Sequence, residues 1–176
     1  MLKNMIKTLN TVASSSMYWG SYIAASVILM GIALYYQHIL DTPPCLLCIQ
    51  VRLLLSLLIL ISFFGLLFKH RRRVNSTLHI ATVFVAVAML ERSYQLLGTE
   101  RGFVFSDCGF DLGLPAWFAI EDWLPWLYRV ETTCGYTPEI LFNITMADAL
   151  MLFSVVFLLI SACVALASFL RFDEQD

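Results

Sequence analysis

The feature that most constrains this chain is a set of four apolar stretches, at about residues 18–37, 49–68, 78–97 and 147–170. Each reaches the roughly twenty residues that a helix needs to cross a hydrocarbon core of about 30 Å. Composition agrees. Of the 176 residues, 60% are hydrophobic and 14% charged, against about 45–50% and about 25% in a soluble domain. The first stretch follows Lys3 and Lys7 like a signal sequence, but it is too long for an apolar signal core of about 7–15 residues. It reads as a retained span. The expected fold is therefore an all-α membrane protein, a four-transmembrane-helix bundle forming a single integral membrane domain over residues 1–176.

Charge distribution predicts the orientation. The densest basic run, Lys69-His70-Arg71-Arg72-Arg73, separates the second and third stretches, and Lys3 and Lys7 precede the first. Basic residues favour the cytoplasmic side, so both termini are expected there. The tail at 171–176 is acidic apart from Arg171 and adds little. The loops at about 38–48 and 98–146 then lie outside. The first has no Lys or Arg. The second has Arg101 and Arg129 against Glu100, Asp107, Asp111, Glu121, Asp122, Glu131 and Glu139. Within it, residues 116–129 are too short and too charged to span, yet rich in the aromatics that favour a membrane–water boundary. A short interfacial helix interrupted near Pro125 is predicted.

Four of the five cysteines, Cys45, Cys48, Cys108 and Cys134, fall in these two loops, and Cys163 lies in the last stretch. An external compartment is where disulfides persist. Four cysteines allow three pairings, and the residues alone do not choose among them. Cys45-Leu46-Leu47-Cys48 is a Cys-x-x-Cys motif, whose spacing lets a disulfide close within one helical turn or open to a dithiol. Pro43 and Pro44 block a helix upstream, so both sulfurs are expected in the first turn of the second span, where unpaired N–H groups and the helix dipole favour a thiolate. Arg52, four residues beyond Cys48, shares its helical face and can stabilise that thiolate or bind an electronegative carbonyl. The bland alternative is an arginine snorkelling from a helix end. A zinc site would need a second closely spaced pair or nearby histidines, so no metal is expected. Cys163 reads as a small buried hydrophobe, and His38, His70 and His79 as boundary residues. No nucleic-acid partner is expected.

A disulfide at the head of a helix receives electrons from a second one only if their sulfurs meet, because exchange proceeds by thiolate attack on sulfur. The long second loop can bring Cys108 and Cys134 there. Four spans suggest an acceptor dissolved in the bilayer. In this order of elements, with Pro-Cys-Leu-Leu-Cys-Ile-Gln-Val-Arg at 44–52 and single cysteines flanking an aromatic-rich stretch, the chain resembles the bacterial disulfide bond formation protein B family, DsbB. The resemblance implies an enzyme of the inner membrane, a protein-dithiol:quinone oxidoreductase using ubiquinone or menaquinone. It implies that Cys108 and Cys134 form the disulfide that reoxidises a periplasmic DsbA-like thiol oxidase, with Cys108 taking the mixed disulfide. Cys45 would exchange with Cys134, Cys48 would reduce the quinone, and Arg52 would lie beside it. Arg92 and Gln95 match the family's third span too loosely to be assigned, and residues 136–146 replace a tryptophan-containing stretch of many relatives.

Three rival readings differ in testable ways. A vitamin K epoxide reductase-like enzyme shares the bundle, the quinone and the two pairs, but its loop pair precedes the Cys-x-x-Cys. A DsbB paralogue dedicated to one substrate would carry the same residues. A tetraspan scaffold merely stiffened by disulfides would hold cysteines that no partner thiol reduces.

Overall fold

The computed structural model describes residues 15–69, 71–104, 109, 112–113, 120–135, 139–141 and 144–173. Four long helices dominate: α1 (Ser16–His38), α2 (Leu46–Phe68), α3 (Arg72–Glu100) and α6 (Met146–Asp173). All four contain windows long and apolar enough to cross a membrane. A 23-residue helix such as α1 or α2 is about 34 Å long at about 1.5 Å per residue, which matches the hydrocarbon thickness. Between α3 and α6 lie two four-residue helices, α4 (Ile120–Trp123) and α5 (Pro125–Tyr128), and a small antiparallel pair, β1 (Glu139–Leu141) and β2 (Ile144–Thr145). The interruption falls where the sequence places it, with Pro125 opening α5, since proline is tolerated in a first turn but not inside a helix. The β pair is an addition that the sequence does not announce.

Local chemistry sets the helix ends. Ser15 caps α1 by accepting a hydrogen bond from the Met17 N–H. Pro43 and Pro44 keep the chain extended before α2, whose N-cap is Cys45. The chain leaves α3 through Gly102 at φ +74°, a conformation that costs glycine little. Just beyond, the Phe103 and Val104 N–H groups donate back to the Gly98 carbonyl at 3.0 and 3.1 Å.

The bundle is turned inside out relative to a water-soluble one. Ile28, Phe84, Leu152, Leu159 and Leu166 are all more than half exposed. Buried serines, in contrast, tie helices together: Ser93 Oγ meets Ser154 Oγ at 2.8 Å between α3 and α6. Lipid is as apolar as leucine, so close packing and hydrogen bonds between small polar residues replace the hydrophobic effect as the adhesive between spans. Cys163, expected to be buried, is free and exposed on α6. A small thiol on the lipid-facing surface incurs no polar desolvation cost, so its neighbours do not force it inward.

His79, expected at a boundary, is instead fully enclosed (1% exposed). Its ring stacks on Trp19 at 4.8 Å, and its Nε2 is 3.1 Å from Asn75 Nδ2. The Trp19 indole N–H donates to Asn75 Oδ1 at 3.3 Å, so one asparagine serves both rings. Tyr18 donates to Tyr22, which meets Ser161 of α6 at 3.2 Å. Inside a membrane, such polar rings persist only when they find one another. Gly65 of α2 lies directly against Trp19, and a Cβ there would overlap the indole. Because stacking and a hydrogen bond fix Trp19, the overlap cannot be relieved cheaply. Gly65→Ala should destabilise the fold by about 1–3 kcal/mol, lowering the melting temperature in detergent by several degrees. Gly20→Ala, with nothing within 4 Å, is the control; equal melting of the two variants would refute this packing.

Candidate functional site

The Cys-x-x-Cys pair lies where the two prolines end and α2 begins. Cys45 is the N-cap and Cys48 sits in the first turn. Both are free thiols with sulfurs hydrogen-bonded at 2.9 Å, close enough that a small rotation closes a disulfide of about 2.05 Å. Cys45 is almost fully enclosed, whereas Cys48 is partly open. The Cys48 thiol, together with backbone N–H groups of the first turn, holds negative charge on the Cys45 sulfur and brings its pKa down to about 7, against the opposing effect of burial. The sequence favours a thiolate at Cys48 beside Arg52; the geometry moves the favoured thiolate to Cys45, because the Cys48 thiol keeps the shared proton and stabilises charge on its neighbour.

Arg52 is buried, with 4% of its surface exposed, and it does not snorkel. Its NH1 donates to Gln37 Oε1 at 2.6 Å and to the Leu127 carbonyl at 3.1 Å, and its NH2 donates to the Ala33 carbonyl at 3.2 Å. The guanidinium is thereby fastened to α1 and to the short helix α5. A second tie lies one turn further along α2: Ser56 Oγ donates to the Arg52 carbonyl and meets the Tyr128 hydroxyl at 2.6 Å. Gln37, Ser56 and Tyr128 were not singled out by sequence reasoning. A glutamine in the last turn of an apolar span was a signal that could have been followed.

Cys45, Cys48 and Arg52 line one cavity of about 170 Å³. The rest of its wall is almost wholly apolar, with Leu29, Ile32 and Ala33 from α1, Leu55 from α2 and Ala149 and Leu150 from α6. The cavity thus lies between the first and last long helices. Elsewhere the Tyr22 ring closes these two helices against Phe157 and Ser161. Arg92 and Gln95 take no part in it; Arg92 donates to Gln95, which donates to Glu91, along α3.

The second cysteine segment is docked beside the first. The Glu131 and Thr132 N–H groups donate to the Pro44 carbonyl at 3.0 and 3.3 Å, and Cys45 bridges Thr132 in a parallel pairing. Cys134 is disulfide-bonded and packs against the cluster of Cys45, Leu47, Leu96 and Ala147. Four residues of one small region therefore carry sulfur chemistry or its support: Cys45, Cys48, Cys134 and Arg52. Cys108 lies outside the described residues, as does His70. Among the described residues no cluster of His, Cys, Asp or Glu could hold a metal ion.

Comparison with known proteins supplies the family. The family model described as disulfide bond formation protein DsbB matches residues 15–164. The chain is 26% identical to disulfide bond formation protein B of Shewanella amazonensis, over 88% of this chain and 92% of that one. It is 24% identical to disulfide bond formation protein B of Photorhabdus laumondii, over 94% and 98%. With disulfide bond formation protein B 2 of Pseudomonas aeruginosa it shares 25% over 68% and 72%. A four-helix membrane bundle with a Cys-x-x-Cys at the head of its second helix, matched over most of its length by these proteins, belongs to the DsbB family of disulfide bond formation proteins.

Proposed function

We propose that this chain oxidises a periplasmic thioredoxin-like dithiol oxidase of the DsbA type and delivers the electrons to a membrane quinone. The observation that carries the reading is the apolar cavity whose wall contains Cys45, Cys48 and Arg52. A redox-active dithiol facing a soluble acceptor would have no use for an apolar pocket between two spans. An electron-poor ring with a hydrocarbon tail would need such a pocket.

The residues fit such a ligand. A guanidinium offers five N–H groups; three are engaged by Gln37, Leu127 and Ala33, leaving two for a carbonyl oxygen in the cavity that Arg52 lines. Leu29, Ile32, Ala149 and Leu150 supply the apolar wall for a ring and tail. When bound, a quinone supplies a sink for two electrons and two protons. Arg52 would hold its carbonyl oxygen, and Cys48, partly open, would face it.

Disulfide exchange supplies those electrons. The partner's thiolate attacks Cys108 of a Cys108–Cys134 disulfide, forming a mixed disulfide and releasing Cys134 as thiolate. Cys134 then attacks Cys45 of the closed Cys45–Cys48 pair, and Cys48 leaves. The partner's second thiol resolves the first mixed disulfide, releasing Cys108. Cys108 attacks Cys134, restoring the loop disulfide and expelling Cys45. A low-pKa thiolate is the better leaving group, which is what the lowered pKa of Cys45 provides. The pair is left as a dithiol. Its reclosure releases two electrons and two protons. Packing of Cys134 against the Cys45 cluster supports this order. By charge bias we assign the cysteine end of the bundle to the periplasm and the basic run at 69–73 to the cytoplasm, in the bacterial inner membrane.

Purified protein in detergent, given a reduced thioredoxin-like partner and a soluble ubiquinone analogue, should reduce the analogue, as read by quinone absorbance. No reduction would defeat the proposal. Cys108→Ser should abolish oxidation of the partner, whereas Arg52→His should raise the KM for the analogue by about tenfold, the scale of one hydrogen bond from a charged donor, and leave the thiol exchange intact. Trapping the partner on Cys134 in place of Cys108 would reverse the proposed order. In the reduced chain, alkylation of Cys45 by iodoacetamide should rise with pH about a midpoint of about 7, because only the thiolate reacts. A midpoint near that of an ordinary thiol would show that the Cys48 contact does not stabilise charge on Cys45.

A further inference from the structure

We propose that Gln37 is a positioning residue for Arg52, one that holds the guanidinium at the cavity wall without neutralising it, so that position 37 requires a neutral acceptor and excludes a carboxylate. The inference rests on the quinone reading above and concerns how that site keeps its charge. Gln37 is buried (8% exposed), and its Oε1 accepts from Arg52 NH1 at 2.6 Å, the shortest of the three bonds to the guanidinium. It does not itself line the cavity, so it can reach a bound ring only through Arg52.

The partners of Arg52 are unusual for a buried arginine. A charge taken out of water is normally paired with an opposite charge. Here the three acceptors are a side-chain amide and two backbone carbonyls. Among the described residues, no carboxylate lies within ion-pair distance of Arg52, the one ion pair there being Arg101 with Asp148. Glu131 acts on it only through space. Ala33 and Gln37 are four residues apart on α1, so one helical face supplies both oxygens. Three dipoles solvate the cation and fix its plane, and no ion-paired carboxylate among the described residues neutralises it beside the cavity and Cys48.

A glutamate at position 37 has nearly the same shape and would still accept the hydrogen bond. It would also form a buried ion pair and cancel the field. That difference separates positioning of a charge from mere structural support. A role limited to supporting the fold is satisfied by either residue.

The test uses the full chain in detergent, oxidised at both cysteine pairs so that no electrons can flow, with binding of a short-chain ubiquinone analogue followed by calorimetric titration. Gln37→Glu should raise the Kd about tenfold, the scale of weakening one hydrogen bond from a charged donor. Gln37→Met, neutral and without an acceptor, should raise it similarly by releasing the guanidinium. In both variants, single-turnover transfer of electrons from a reduced thioredoxin-like protein to the loop cysteines should match the natural chain, which also shows that they are folded. If Gln37→Glu does not fold, the Gln37→Met titration decides on positioning, and unchanged binding there overturns the proposal. Natural Kd in Gln37→Glu, with or without a defect in Gln37→Met, overturns it too and reduces Gln37 to a structural acceptor. If the natural chain neither binds nor reduces the analogue, the quinone reading itself falls, a result distinguishable from one in which binding is intact and only the variants are silent.

Discussion

The burial of the Arg52 guanidinium at the meeting of α1, α2 and α5 is the constraint on which the site depends. Removing a cation from water costs several kcal/mol unless oxygens replace the water. The chain offsets part of this cost with Gln37 and the Ala33 carbonyl from α1 and the Leu127 carbonyl from α5, which take three of the five N–H groups. Those bonds fix the crossing of α1 over α2 at this depth and pin the short helix against the bundle. Tyr128 on Ser56 repeats the attachment one turn away. Three elements of the candidate site, α1, α2 and α5, are therefore located relative to one charged group.

From that anchor the two redox segments acquire a common address. The prolines hold the approach to α2 extended, so the Pro44 carbonyl is free to accept from Glu131 and Thr132. This short parallel contact carries Cys134 toward the cluster that contains Cys45. Both sulfurs of the pair also line the apolar cavity with Arg52, Cys45 the more enclosed and Cys48 partly open. The spacing of a Cys-x-x-Cys at a helix start lets both reach one cavity, because three residues nearly complete a turn and change depth by only about 4.5 Å.

At the opposite end a different economy operates. Trp19, His79 and Asn75 form a closed polar set against Gly65, and Tyr22 locks α1 to α6 through Ser161 and Phe157. The cavity between the first and last helices lies at the cysteine end, away from these ties. Lipid offers no hydrophobic drive to close it, since apolar walls are as well solvated by acyl chains as by one another.

Much of this protein was legible in the linear chain. Four apolar lengths fixed the number of spans, because a bilayer imposes one length on every helix that crosses it. Pro43-Pro44 before Cys-x-x-Cys located the sulfurs at a helix start, because proline cannot continue a helix from upstream. Arg52 followed from a four-residue spacing, and the break at Pro125 from its missing N–H. What the sequence could not reveal were relations between distant residues. Nothing local says that Gln37 will meet Arg52, that Thr132 will pair beside Cys45, that His79 will be enclosed by Trp19 or that Cys163 will face outward. Helical periodicity is a weak guide when lipid and core are equally apolar, since the outward face carries no polar signature. Helix count, helix starts and the identity of the reactive groups were therefore decided by short-range chemistry. Which groups share a cavity, and which oxygens hold the guanidinium beside it, was decided only when the tertiary packing brought α1, α2 and α5 together.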